Sequence, residues 1–151
     1  MRRTDFLQDR FGHRYTIDFE GSSELWTIHV WDGGLPAAYL WARYSRDRSL
    51  RIQDFKVADD VRAPEGILAG FFRKLFGLQP RAISYQRRGI GTALISWLVS
   101  YADSRGVSRI EGELAERDLL HFPGLAEWYG TKGFALTRDM QEMRIVRYRS
   151  T

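Results

Sequence analysis

The chain contains no cysteine. That excludes disulfides, a thiol nucleophile and cysteine-ligated metal, and it fits a reducing compartment. Long apolar runs are missing too: no stretch approaches the roughly 18 residues of a membrane-spanning helix. The N-terminus, Met1-Arg2-Arg3-Thr4-Asp5, lacks the apolar segment of a secretory signal. A cytoplasmic location without a membrane partner is therefore expected. Histidine is scarce: His13, His29 and His121 do not fall at metal-ligand spacings, so no metal is expected. There is no internal repeat, low-complexity tract or linker, and the 151 residues are expected to form one domain.

What is present is a chain with enough apolar material for a core, 44% hydrophobic and 14% aromatic residues. Its net charge is +4, and nearly all the basic residues are arginine. A basic surface can serve nucleic acid or the phosphates of a small ligand. Here the arginines are scattered among 19 acidic residues and no nucleic-acid reader motif is recognisable, so no nucleic-acid partner is expected.

Alternating apolar positions predict strands over Arg14–Glu20, with Tyr15, Ile17 and Phe19 on one face, and over Leu25–Trp31. Asp32-Gly33-Gly34 closes the second in hairpin chemistry. Further strands are predicted at Ala37–Tyr44 and Leu50–Val57, giving a four-stranded meander. In the last of these, strict alternation puts Leu50, Ile52 and Asp54 on one face. Residues 59–85 differ in character. Pro64 suits a first helical turn and Gly77 a stop, and Ile67, Leu68, Phe71, Phe72, Leu75 and Phe76 follow helical spacing between them. A second helix is predicted at Gly91–Arg105, with Ala93, Leu94, Trp97, Leu98 and Tyr101 as its buried stripe. A strand at Ser108–Leu114, a short helix at Leu125–Lys132 and two strands, Phe134–Thr137 and Met143–Tyr148, complete the chain.

The most informative segment is Gln86-Arg87-Arg88-Gly89-Ile90-Gly91-Thr92, at the start of the second helix. A glycine-rich turn at a helix N-terminus aims several N–H groups at one point and adds the positive end of the helix dipole. That makes it a candidate pyrophosphate cradle, although a plain strand-to-helix turn has the same composition. A dinucleotide fingerprint needs a third glycine where Leu94 stands, and a P-loop needs a lysine after Gly91 where Thr92 stands. Both are disfavoured.

The pattern Gln86-x-x-Gly89-x-Gly91 resembles the acyl-CoA loop of the GCN5-related N-acetyltransferase (GNAT) family. Downstream, Tyr129-Gly130-Thr131-Lys132-Gly133-Phe134 looks like that family's Tyr-x-x-x-Gly-Phe segment, in the same order. The resemblance covers residues 83–137 and implies a mixed α+β fold: a central, mostly antiparallel sheet of six to seven strands flanked by helices. Against that pattern the chain carries an inserted helix within 59–85 and lacks the two helices that members place between their first two strands. The inserted helix would then cover the acceptor side of the cleft, serve as packing, or make a dimer contact. The family's asparagine ahead of the tyrosine falls on Phe122, and its basic residue is displaced to Lys132.

The chemistry implied is acetyl transfer from acetyl-CoA to a primary amine, on a small molecule or a peptide, with a homodimer compatible with the family's habit. The resemblance assigns the cofactor to the N–H groups of Gln86, Arg87, Arg88, Gly89, Ile90, Gly91 and Thr92, and to the strand end at Phe55–Val57. It assigns Tyr129 the general acid's place; a phenol near its reference pKa of about 10 can protonate a leaving thiolate. Three carboxylates compete as base: Asp54, Glu113 and, behind them, Glu111, the last two sharing a face of one strand. His121 is a remote alternative. The competing class is a non-catalytic acyl-CoA-binding or partner-binding domain on the same fold.

Overall fold

A computed structural model describes residues 1–62, 82–139 and 142–149. Five strands come first: β1 (Arg2–Gln8), β2 (Arg14–Gly21), β3 (Leu25–Asp32), β4 (Leu35–Tyr44) and β5 (Ser49–Val57). Each pairs antiparallel with the next. A short ladder of β6 (Val61–Arg62) and β7 (Ala82–Ile83) follows. Helix α1 (Ile90–Ser104) leads to β8 (Arg109–Leu114), two short helices α2 (Glu116–His121) and α3 (Leu125–Gly130), and then β9 (Ala135–Asp139) and β10 (Glu142–Tyr148). The main sheet has eight strands in the order β1-β2-β3-β4-β5-β8-β10-β9. Among the described strands, only β5 and β8 run parallel, and such a pair needs a long crossover, which α1 supplies.

Six to seven strands are expected from the sequence pattern; the eighth is β1. Its segment, Arg-Arg-Thr-Asp-Phe-Leu-Gln, buries only Leu7. It is an edge strand, charged and without alternation, so it carries no period-two signal. No helix lies between β1 and β2, which are separated only by residues 9–13. The expected helix between Pro64 and Gly77 lies outside the described residues. Its flanks are placed: Val61 pairs with Ile83, so the chain leaves and re-enters at one rung.

Register assigns the faces of the sheet. Directly opposed residues point the same way, so the partners Ala38–Val57, Leu40–Phe55 and Ala42–Ile52 share one face. Trp41–Asp54, Tyr39–Lys56 and Arg43–Arg51 share the other. Between Trp41 and Ala42 the register shifts, and Gln53 is the extra residue on β5. This β-bulge corrects the expectation for Asp54. Unbroken alternation would group it with Leu50 and Ile52; one extra residue turns it to the opposite face.

Helix α1 packs on the Leu40–Phe55 face. Leu94, Ile95, Leu98 and Ala102 are buried in the common core with Ile17, Ile28, Leu40, Leu50 and Ile110. Towards β2 the packing is aromatic: Phe19 meets Trp26, Trp97 and Tyr101 at centroid distances of 5.6, 5.9 and 4.7 Å. At its other end α1 is tied to β10 by a bidentate pair, with Arg147 donating to both carboxylate oxygens of Asp103 at 3.1 and 3.0 Å. The helix stops where expected, with Gly106 at φ 72° just beyond it.

Candidate active site

The β5–β8 ladder runs from Ser49–Arg109 to Ile52–Gly112 and no further. β5 continues to Val57 and β8 to Leu114, but beyond Ile52 their facing edges share no rung. The ladder ends where the Gln53 bulge begins. A wedge therefore opens between two parallel strands, and the N-terminus of α1 stands beside its mouth: a Cβ placed on Gly91 would lie 3.3 Å from the Phe55 ring, 3.5 Å from Val57 and 3.8 Å from Trp128.

The Gln86–Thr92 turn has the backbone of a cradle. Arg87 sits at φ 58° and Gly89 at φ 86°, both left-handed. No side chain caps the helix, and its first turn carries no acidic residue. Ala93 N–H is the first to reach an intrahelical acceptor, the carbonyl of Gly89 at 3.0 Å. The N–H groups of Ile90, Gly91 and Thr92 precede it, outside the helical ladder. Uncapped donors, a positive dipole end and two glycines are the chemistry that suits an anion held through the backbone.

Trp128 reaches this turn. Its Nε1 donates to Thr92 Oγ1 at 3.2 Å, and its ring stacks near-parallel on Phe55, with centroids 6.4 Å apart. It forms an aromatic wall over the cradle. The sequence offers it only as the neighbour of Tyr129; indole next to phenol on a short helix carries no signal of which one faces the site.

Tyr129 is buried, 5% exposed, with its ring against Trp128 and Phe134. Burial pushes its phenol up to about 12, with a smaller push from Asp118. The contacts that touch the cradle are those of Trp128, one position earlier. Phe122, where a family asparagine would stand, is half exposed at the end of α2. Lys132 places its Nζ 6.0 Å from the Trp128 ring centroid.

The carboxylates gather on the opposite face. Asp54 accepts the Tyr39 hydroxyl at 2.6 Å, a bond that raises the tyrosine's pKa. Glu113 pairs with Arg51, and Glu111 lies 3.2 Å from Arg109 Nε. Glu111 and Glu113 share a face as expected, but each is held by an arginine rather than by the other. His121 is exposed, and its Nδ1 donates to the carbonyl of Arg117 at 2.8 Å.

A second set of contacts was not legible in the sequence. The turn between β1 and β2 leans on the cradle: Arg10 N–H donates to the Arg88 carbonyl at 3.0 Å, and Asp9 accepts Arg88 Nε at 2.9 Å. Asp9 also accepts the N–H groups of Phe11 and His13 and the Tyr15 hydroxyl. Burial would raise its pKa, but these donors together hold it down at about 2. Nearby, Asp32 accepts the Tyr85 hydroxyl at 3.1 Å and bonds His13 Nε2 at 2.8 Å.

Solved structures share this overall fold. The chain has the GNAT fold. It superposes on PaiA N-acetyltransferase of Thermoplasma acidophilum, solved with coenzyme A, with a TM-score of 0.56 at 9% identity over 83% of this chain and 62% of that one. A Bacillus subtilis acetyltransferase, also solved with CoA, gives 0.57 at 14% identity over 84% and 78%. The ribosomal-protein-S18-alanine N-acetyltransferase of Escherichia coli gives 0.54 at 18% identity over 84% and 68%. The chain thus spans less than two thirds of the Thermoplasma protein. No family model and no curated protein matches its sequence. The likeness is one of overall fold.

Proposed function

We propose that the protein is an acyltransferase that uses acetyl-CoA to acetylate a primary amine. The observation that carries this reading is the junction of cradle and wedge: uncapped N–H groups at α1 beside parallel strands that part beyond Ile52–Gly112. Coenzyme A joins a pyrophosphate to a long, narrow arm, and it is bound in two of the structures with this fold. The site fits it: the N–H groups of Ile90, Gly91 and Thr92 have no side-chain cap and precede the first helical bond, and Gly91, where a methyl group would press on Phe55, lets this donor array sit close against β5.

Acetyl-CoA supplies the activated acyl group. The residues do the rest. Gln86 to Thr92 hold the pyrophosphate through backbone N–H groups. Phe55 and Val57, on a β5 edge without a β8 partner, offer backbone groups to the arm and to developing oxyanion charge; such fixed donors are worth about 3–4 kcal/mol each. Tyr129 stays protonated at neutral pH and serves as hydrogen-bond donor to the leaving sulfur, in a pocket whose dryness favours a shared proton. Asp54 is the base we assign: the wedge opens to its face also, and its partner is a neutral phenol, whereas Glu113 is neutralised by Arg51.

The test is calorimetric titration with acetyl-CoA, CoA and NADH, followed by an amine screen with wild type, Tyr129→Phe and Asp54→Asn. Micromolar binding of acetyl-CoA without NADH is expected. Both variants should bind acetyl-CoA as wild type does and lose kcat by 10-fold or more. Wild type that binds neither acyl-CoA nor CoA would sink the proposal. Binding with no turnover of any amine would favour the binding-domain alternative.

A further inference from the structure

Asp9 is an ionised carboxylate with no exposed side-chain surface, placed on a short turn at the edge of the molecule. Its two oxygens divide their work. Oδ1 accepts the N–H groups of Phe11 and His13, each at 2.9 Å, and so closes its own turn. Oδ2 accepts Tyr15 Oη at 3.0 Å and Arg88 Nε at 2.9 Å. The same turn takes the Arg88 carbonyl through Arg10 N–H at 3.0 Å. Arg88 is thus gripped at backbone and side chain by a segment 79 positions away.

The grip falls where the backbone needs it. Arg87, the preceding residue, is held at φ 58° without being glycine. Such a residue is strained and persists only when its surroundings fix it. Gly89, the following residue, begins the donor array. A loop strained on one side and uncapped on the other does not keep its N–H groups convergent by itself. Arg88 is not available as a bare positive charge, because Asp9 neutralises it. Its use is as a handle.

We propose that Asp9 is a positioning residue: through Arg88 it holds the backbone from Arg87 to Thr92 in its anion-binding shape. This rests on the acyl-CoA reading of that turn. It adds a brace supplied by the β1–β2 turn, which occupies the place in the chain where no helices are found. The depressed pKa of Asp9 agrees, since it keeps the carboxylate charged over the whole physiological range.

The atom-by-atom division supplies a selective variant. Asp9→Asn keeps an acceptor for Phe11 and His13 and replaces Oδ2 by a donor, which opposes the donor-only Arg88 Nε–H, whereas the Tyr15 hydroxyl can turn and accept from it. Tyr15→Phe removes only the tyrosine's bond. Hydrogen exchange of the free proteins and titration with CoA give two independent readouts. In Asp9→Asn, the Arg10 amide, whose N–H is bonded to the Arg88 carbonyl, should exchange about 10-fold faster while amides from the C-terminal half of α1 stay as in wild type, and CoA should bind about 10-fold more weakly. Tyr15→Phe should leave Arg10 exchange and affinity unchanged. Should Asp9→Asn fail to fold, Arg88→Lys, which keeps a positive charge beside Asp9 but loses the Nε bond, must show the same two effects. Wild-type exchange at Arg10 in the folded variant overturns the inference, as does Tyr15→Phe behaving like Asp9→Asn, which would mean general loosening. Absence of CoA binding by wild type removes the acyl-CoA reading on its own, whatever the variants do.

Discussion

At φ 86°, Gly89 occupies backbone space that costs an L side chain roughly 1–2 kcal/mol. Gly91 has no such constraint; what it lacks is room, since an added Cβ would meet Phe55 at 3.3 Å and Val57 at 3.5 Å. The two glycines should therefore fail differently. Gly89→Ala should lose about 1–2 kcal/mol of stability, which at this chain length lowers Tm by roughly 2–8 °C. Gly91→Ala asks only for a few tenths of an ångström from the end of the Phe55 ring, and its Tm should stay closer to wild type. Thermal melts of the two variants check the order, and a larger loss at Gly91 would contradict it. Residue-level chemistry of this kind was readable in advance, because a glycine pair before an apolar helix is a local signal. What was not readable is Asp9. A carboxylate five residues before an aromatic strand looks like any turn aspartate, and its partner Arg88 lies far away in sequence. Long-range pairing leaves no periodicity to find.

Elements were legible in proportion to their periodicity. Helix α1 and strands β2 to β5 follow clean 3.6- and 2-residue patterns. Strand β1 does not, because an edge strand with one buried residue has nothing to alternate. The Gln53 bulge is the other unreadable feature. It changes no residue type and breaks only the count, so Asp54 reads as an inward carboxylate when it faces the Tyr39 side. The bulge also has a consequence at the scale of the strand pair. It sits one residue beyond the last β5–β8 rung, and a bulge bends its strand and increases local twist. Deleting Gln53 would restore plain alternation without moving Phe55 or Val57 to the other face. The protein should still fold, the β5–β8 ladder should lengthen, and CoA affinity should fall by at least 10-fold as the wedge narrows. A urea melt and a CoA titration report the two halves. Unchanged affinity in a folded deletion variant would separate the bulge from the wedge.

For the whole molecule, the brace around Asp9 joins three distant stretches: the β1–β2 turn, β2 through Tyr15, and the cradle through Arg88. Its charge must then appear in global stability. Asp9 is held at about 2 in the folded state, against the 3.8 of an ordinary aspartate. A carboxyl whose folded pKa is depressed stabilises the fold above its unfolded pKa, and that contribution is lost as pH falls through the folded pKa. About two units correspond to about 2–3 kcal/mol, present in full at pH 5 and above and lost between about pH 4 and pH 2. Asp5 and Asp47 are also depressed, Asp5 chiefly by its bond from Trp97 and Asp47 by its bond from Ser49, so acid sensitivity of wild type alone would not single out Asp9. The difference between wild type and Asp9→Asn does, because the other carboxylates cancel. Once Asp9 takes up its proton, Oδ2 becomes a donor like the amide nitrogen of asparagine, and the two proteins become equivalent at that site. Urea unfolding at pH 7, 4 and 2.5 should therefore show a gap of about 2–3 kcal/mol at neutral pH that closes as pH falls. A gap that stays constant with pH would mean that the variant loses packing rather than charge, and that the carboxylate is not what fastens the turn to the cradle.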